Sequence, residues 1–159
     1  MCQKCSHPTT PPTFSLERFS GLWFPLMSSD PPNLIDNCVL SVEAQPGNKL
    51  RAKMHIKRKL FDDSQYSNSN PSTASFNGLG GFSQFVILDT DYDKYAIVLN
   101  QLCCCCGLIQ NSSITIYGRD PKVFEDKLLL LSLFEIIERE TKIHRTALKR
   151  AYHQEIIQN

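Results

Sequence analysis

Residues 49–58 constrain this chain more than any other stretch. Ala52, Met54 and Ile56 alternate with Arg51, Lys53, His55 and Lys57, so an extended segment here is apolar on one face and charged on the other. Such a strand needs a sheet with an oily side and a wet side. Weaker versions of the same pattern recur. Residues 37–44 place Cys38, Leu40 and Val42 on one face, although Val39 blurs the alternation. Residues 84–89 pair Phe85 with Ile87, and residues 94–102 align Ala96, Val98 and Asn100. Residues 112–119 put Ser113, Thr115 and Tyr117 on the side of Arg119. With residues 22–27 and short strands near 57–61 and 74–79, the expected class is all-β.

The period changes after Pro121. Asp120-Pro121 reads as an N-cap followed by a first-turn proline, and a helix is expected over about 122–140. Val123, Lys127, Leu130, Phe134 and Ile137 form its stripe, widened by Leu131 and Leu133. That stripe needs a surface, either the outside of the sheet or a partner protein. Residues 14–19 suit a short helical turn capped by Ser15. Residues 28–34 hold Asp30-Pro31-Pro32 and read as a loop. Residues 59–84, rich in Ser, Asn, Gly and Asp, read mostly as a long polar connection. Residues 1–13 read as an extended tail, and 14–159 as one domain. The segment 141–159 ends in a last short strand near 150–153, or in a second short helix.

At 159 residues the chain suits one domain with a sizeable core. Its net charge is +1, and no basic stripe points to nucleic acid. No apolar run approaches the roughly 20 residues of a membrane-spanning helix. The first residues lack the apolar stretch of a signal peptide, so the chain is expected to be a mature form or an intracellular one. Seven cysteines, at Cys2, Cys5, Cys38 and Cys103, Cys104, Cys105 and Cys106, favour a secreted protein. A zinc site of four thiolates is the rival use, but four adjacent cysteines are awkward for tetrahedral ligation; no metal or cofactor is expected. Asn111-Ser112-Ser113 is a glycosylation sequon if the protein is secreted, and otherwise an unmodified turn.

Three short motifs stand out against this background. Gly21-Leu22-Trp23 opens the first strand, Thr90-Asp91-Tyr92 forms a turn in the middle, and Arg119 closes the last long strand. Their order and separation resemble the three motifs of the lipocalin family, closest to its retinol-carrier and apolipoprotein-D-like branch. The resemblance runs from about Phe14 to Gln154. It implies an eight-stranded antiparallel up-and-down β-barrel over about 21–119, with one C-terminal α-helix packed outside. Physically, Trp23 supplies an apolar plug whose indole N–H needs a partner. Arg119 can stack on that indole for roughly 0.5–2 kcal/mol while donating to carbonyls. Gly21 turns the chain into the strand, and Asp91 can bond its own turn. These residues are expected to hold the fold and not to touch ligand. The family also implies a disulfide from Cys2 or Cys5 to one or two of Cys103–Cys106, leaving an odd thiol.

An eight-stranded barrel is about wide enough for one small guest. The inward faces then give Leu40, Val42, Ala52, Met54, Ile56, Phe85, Ile87, Val98, Asn100, Thr115 and Tyr117 as the ligand-binding set, apolar with a few polar groups to orient one end. The resemblance implies a monomeric or weakly dimeric carrier or scavenger of a hydrophobic small molecule such as a retinoid, sterol, fatty acid or pigment. Two other readings stay open. Some lipocalins are prostaglandin D synthases with a cysteine nucleophile facing the cavity, and Cys38 occupies such a position. It could equally remain a buried thiol or be linked to Cys103–Cys106. No His, Lys or Arg nearby in sequence is placed to activate it. The last reading is a protein-binding module that uses the open-end loops.

Overall fold

The computed structural model describes residues 13–30, 35–68, 73–78, 83–104 and 109–153; of residues 103, 104, 109 and 110 only the backbone is described. A short helix α1 (Leu16–Phe19) precedes eight strands. These are β1 (Gly21–Ser28), β2 (Cys38–Gln45), β3 (Lys49–Ile56), β4 (Lys59–Ser67), β5 (Ser75–Gly78), β6 (Ser83–Thr90), β7 (Tyr95–Cys104) and β8 (Ile109–Gly118). Each pairs antiparallel with the next. β1 closes the ring: Trp23 lies opposite Leu40 of β2, and Ser28 lies opposite Thr115 of β8. The ring is thinnest between β4 and β5, which pair only at Tyr66 and Ser67. A helix α2 (Lys127–Glu140) and a two-residue strand β9 (Lys149–Arg150) follow, β9 pairing with β1 at Met27 and Ser28. The expected antiparallel barrel with one C-terminal helix is what the chain forms.

Two apolar layers hold it together. Inside the ring, Trp23, Leu40, Val42, Ala52, Phe85, Ile87, Val98 and Tyr117 pack with Phe19 and Phe76. Outside, Leu26, Val86, Leu88, Ile97, Leu99, Ile114 and Ile116 meet Leu130, Leu133 and Ile137 of α2. Strands β6 to β8 are therefore apolar on both faces, because one face looks into the barrel and the other lies under the helix. Full burial of each large aliphatic side chain contributes about 1.5–3 kcal/mol.

Several sequence expectations need correction. Lys57 and Arg58 do not extend β3. Both have positive φ, 51° and 71°, and form a two-residue turn between Ile56 and its partner Lys59. That turn geometry suits the right-handed twist of the flanking strands and is normally given to Asn-Gly. The polar stretch after it is not mostly loop. Residues 59–67 are a nine-residue strand, β4, whose polar side chains are tolerated because most of the strand is exposed. The C-terminal helix does not begin at the Asp120-Pro121 cap. That cap starts a 3-10 turn over Pro121–Glu125, and Asp126 caps α2 by accepting from the Leu129 amide at 3.1 Å. The buried face is a narrower part of the expected stripe. Leu130, Leu133 and Ile137 are buried, whereas Leu131 is half exposed and Lys127 is exposed. The proposed run of cysteines in the last hairpin is partly strand: Cys103 and Cys104 belong to β7. Cys2, Cys5, Cys105 and Cys106, and with them the expected disulfide, lie outside the described residues.

Candidate ligand-binding site

The two ends of the barrel differ, and the sequence dictates how. At one end, α1 folds under the barrel because Ser15 caps it, accepting from the Arg18 amide at 3.3 Å. This places Phe19 under Trp23, ring centroids 5.1 Å apart, with Phe14 5.5 Å beyond Phe19. The Trp23 indole N–H donates to the Phe19 carbonyl at 2.8 Å, so the buried donor is satisfied. Arg119 lies over the indole, its guanidinium carbon 3.7 Å from the ring centroid. Its three nitrogens donate to the carbonyls of Tyr92, Leu22, Arg18, Ser20 and Phe19 at 2.8–3.3 Å. Gly21, with φ 113°, leaves room for this: an added Cβ would sit 2.9 Å from Nη1 of Arg119. Thr90, Asp91 and Tyr92 form the adjoining turn. Asp91 accepts from the Lys94 and Tyr95 amides, Thr90 Oγ1 accepts from the Tyr92 amide, and the Tyr92 hydroxyl accepts from the Ser15 amide at 3.0 Å. This end is sealed by packed rings and satisfied donors.

The other end is more open and more polar. β5 is short, so β4 pairs with it only at Tyr66 and Ser67. A cavity of about 220 Å³ lies here, lined among others by Asp30, Tyr66, Asn100, Leu102, Asn111 and Ser113. Tyr66 is the aromatic residue of this lining, and behind it the buried Phe85 ring packs with a centroid distance of 5.5 Å. Next to it, Ser28 and Thr115 share a buried hydroxyl–hydroxyl hydrogen bond of 2.9 Å. Burial holds the Tyr117 phenol protonated well above its ordinary range; nearby Asp30 adds to this, while the Thr115 hydrogen bond pulls the other way. The Tyr66 phenol is also pushed up by burial; the Ser64 hydrogen bond opposes this, and Asp62 adds a smaller upward push.

The inward set named from the sequence divides along the barrel axis. Leu40, Val42, Ala52, Phe85, Ile87, Val98 and Tyr117 sit in the interior core and are at most 6% exposed, so neighbouring side chains cover them. Met54 packs on that core while staying partly exposed, and Ile56, at the open end of β3, is also partly exposed. Thr115 is buried in its pair with Ser28. Asn100 alone of the set lines the cavity. Sequence reading missed Asp30 and Tyr66. Asp30 sits in a loop, where side-chain direction has no period, and Tyr66 belongs to the strand hidden in polar composition. Asn111 and Ser113 carry the alternation of Thr115 and Tyr117 two and four residues further, and that parity was the available signal. The sequon residue Asn111 is exposed, within β8 at the open end.

Cys38 is buried at the start of β2, its thiol donating to the Asp36 carbonyl at 3.6 Å. Burial, with Asp36 adding to it, pushes its pKa up to about 11. A thiol held protonated is a poor nucleophile at neutral pH. Among the described residues, no group of three or more His, Cys, Asp or Glu could hold a metal ion.

No protein-family model matches the chain, and no curated protein sequence does. Among solved structures, the fold is similar to that of the siderocalin Ex-FABP, described as working through dual ligand specificities. The two share 11% sequence identity and a TM-score of 0.66, over 87% of this chain and 93% of that one. At that identity the likeness is one of fold: an antiparallel barrel with a C-terminal helix, as in lipocalins.

Proposed function

We propose that the chain is a lipocalin-type carrier or scavenger that takes a small lipophile through the open end of its barrel. The observation that carries this reading is the polarity of the axis. One end is plugged by Trp23 under Arg119, and the other holds a cavity lined mostly by polar side chains, with Tyr66 and Leu102 among them. Apolar burial against Tyr66 and Leu102 would contribute about 25 cal/mol per Å² before the costs of association. The polar side chains would orient the guest's polar end. A cavity of about 220 Å³ is smaller than the roughly 300–1,000 Å³ of drug-sized sites. Of the retinoids, sterols, fatty acids and pigments such barrels suit, short or slender guests fit best. Catalysis by Cys38 is disfavoured by its raised pKa. Cysteine usage and the exposed Asn111 sequon fit an extracellular setting.

Native mass spectrometry of the purified protein tests the reading. A retained small lipophile, released on acid unfolding, is the expected result. A protein that arrives empty and stays empty through exposure to a lipid extract would overturn it.

A further inference from the structure

The cavity at the barrel mouth has an uneven charge. Among the described residues that line it, Asp30 is charged and no Lys or Arg is present. The remaining polar lining is amide and hydroxyl: Gln84, Asn100, Gln101 and Asn111 supply the amides, and the serines of β6 and β8 with Tyr66 supply the hydroxyls. A second carboxylate stands beside it. Asp62 pairs with Met54, and paired residues of antiparallel strands share a face, so Asp62 lies on the inward side of β4. Tyr66, four residues along the same face, senses Asp62 electrostatically, as buried Tyr117 senses Asp30. The charge at the mouth is therefore negative, from Asp30 in the lining and from Asp62, exposed on the strand that carries Tyr66. The nearest cations by sequence, Lys57, Arg58 and Lys59, are exposed at the β3–β4 turn and do not line the cavity.

A carboxylate and a tyrosine ring in one cavity favour one kind of head group. An ammonium is attracted to a carboxylate through a charge-assisted hydrogen bond and to an aromatic face through its quadrupole. A carboxylate guest meets like charge and finds no cationic donor. Resting on the carrier reading above, we propose that the mouth selects a guest with a cationic amine, its ammonium held by Asp30 and the Tyr66 ring and its apolar part laid along Leu102. The cavity volume limits that guest to a small aliphatic or single-ring amine.

Calorimetric titration with octylamine, octan-1-ol and octanoate at neutral pH tests this, because the three differ only in head group. Octylamine should bind about tenfold or more tighter than octan-1-ol, and octanoate weakest of all. Asp30→Asn should erase the amine's advantage over octan-1-ol, and an unchanged urea midpoint shows that the variant is folded. Octanoate binding as tightly as octylamine would overturn the proposal. Amine preference that survives Asp30→Asn would overturn the role of Asp30. In both cases the carrier reading stands. Failure of all three chains to bind would remove both.

Discussion

Arg119 meets more backbone than its single charge suggests. It donates to five carbonyls and stacks on Trp23, joining α1, β1 and the Thr90–Tyr92 turn. A lysine has no planar fork and cannot reproduce those contacts. Arg119→Lys should therefore lower stability by about 2–4 kcal/mol in urea denaturation, whereas a loss under about 0.5 kcal/mol would show the plug to be ornamental. Gly21→Ala attacks the same junction from below, through both its φ and the 2.9 Å approach to Arg119, and should cost about 1–3 kcal/mol. Glu138 makes a further prediction. Arg145 donates to it through Nε and Nη2 at 2.9 and 2.8 Å and through its amide, holding the carboxyl down to about 2 from an ordinary 4.5. A depressed folded pKa means the unfolded chain binds the proton more readily. The stabilisation is present above about pH 4.5 and is lost as pH falls toward 2. Urea midpoints of wild type and Glu138→Gln should differ at pH 6 and converge near pH 2. A constant difference across that range would contradict the assignment.

At the scale of elements, α2 and β4 show what local sequence does and does not encode. The helix announces itself through its 3.6-residue period, but its start does not. Two Asp caps lie six residues apart, and the proline at the first commits it only to a 3-10 turn. Tertiary packing chooses the second. Leu133→Ala should cost about 2–4 kcal/mol by opening a cavity against the barrel. Leu128→Ala, at a residue 81% exposed, should stay within about 0.5 kcal/mol. Equal losses at the two positions would mean the helix packs on a different face. Of β4 the sequence shows only the start, near 57–61, for the opposite reason. Asp62, Asp63, Ser64 and Gln65 have poor strand propensity, and the strand is imposed by its ladder with β3, with the Arg51–Asp63 ion pair at 2.6 Å across it. The continuation to Ser67 stayed hidden, and Tyr66 with it.

At the scale of the molecule, the ring was legible because its inward rows alternate and its closing residues carry recognisable motifs. Trp23, Arg119 and the Thr90–Tyr92 turn meet at one end as those motifs suggest. The open end was not legible. Its cavity draws on a loop residue, a disguised strand and the far end of β8, and no period connects those in sequence. Interior residues such as Ile87 and Val98 are fully buried among other side chains, so binding capacity concentrates at the mouth and not along the whole inward face. This axis, sealed at Trp23 and receptive at Tyr66, is the central claim. An NMR titration of the isotopically labelled protein with octylamine, octan-1-ol and octanoate tests it most directly. The account predicts saturable shifts at the amides of Tyr66, Asn100 and Ser113, with the Trp23 indole signal unmoved. Shifts centred on Trp23 or on the outer face of α2, or no saturable shift with any of the three, would contradict it.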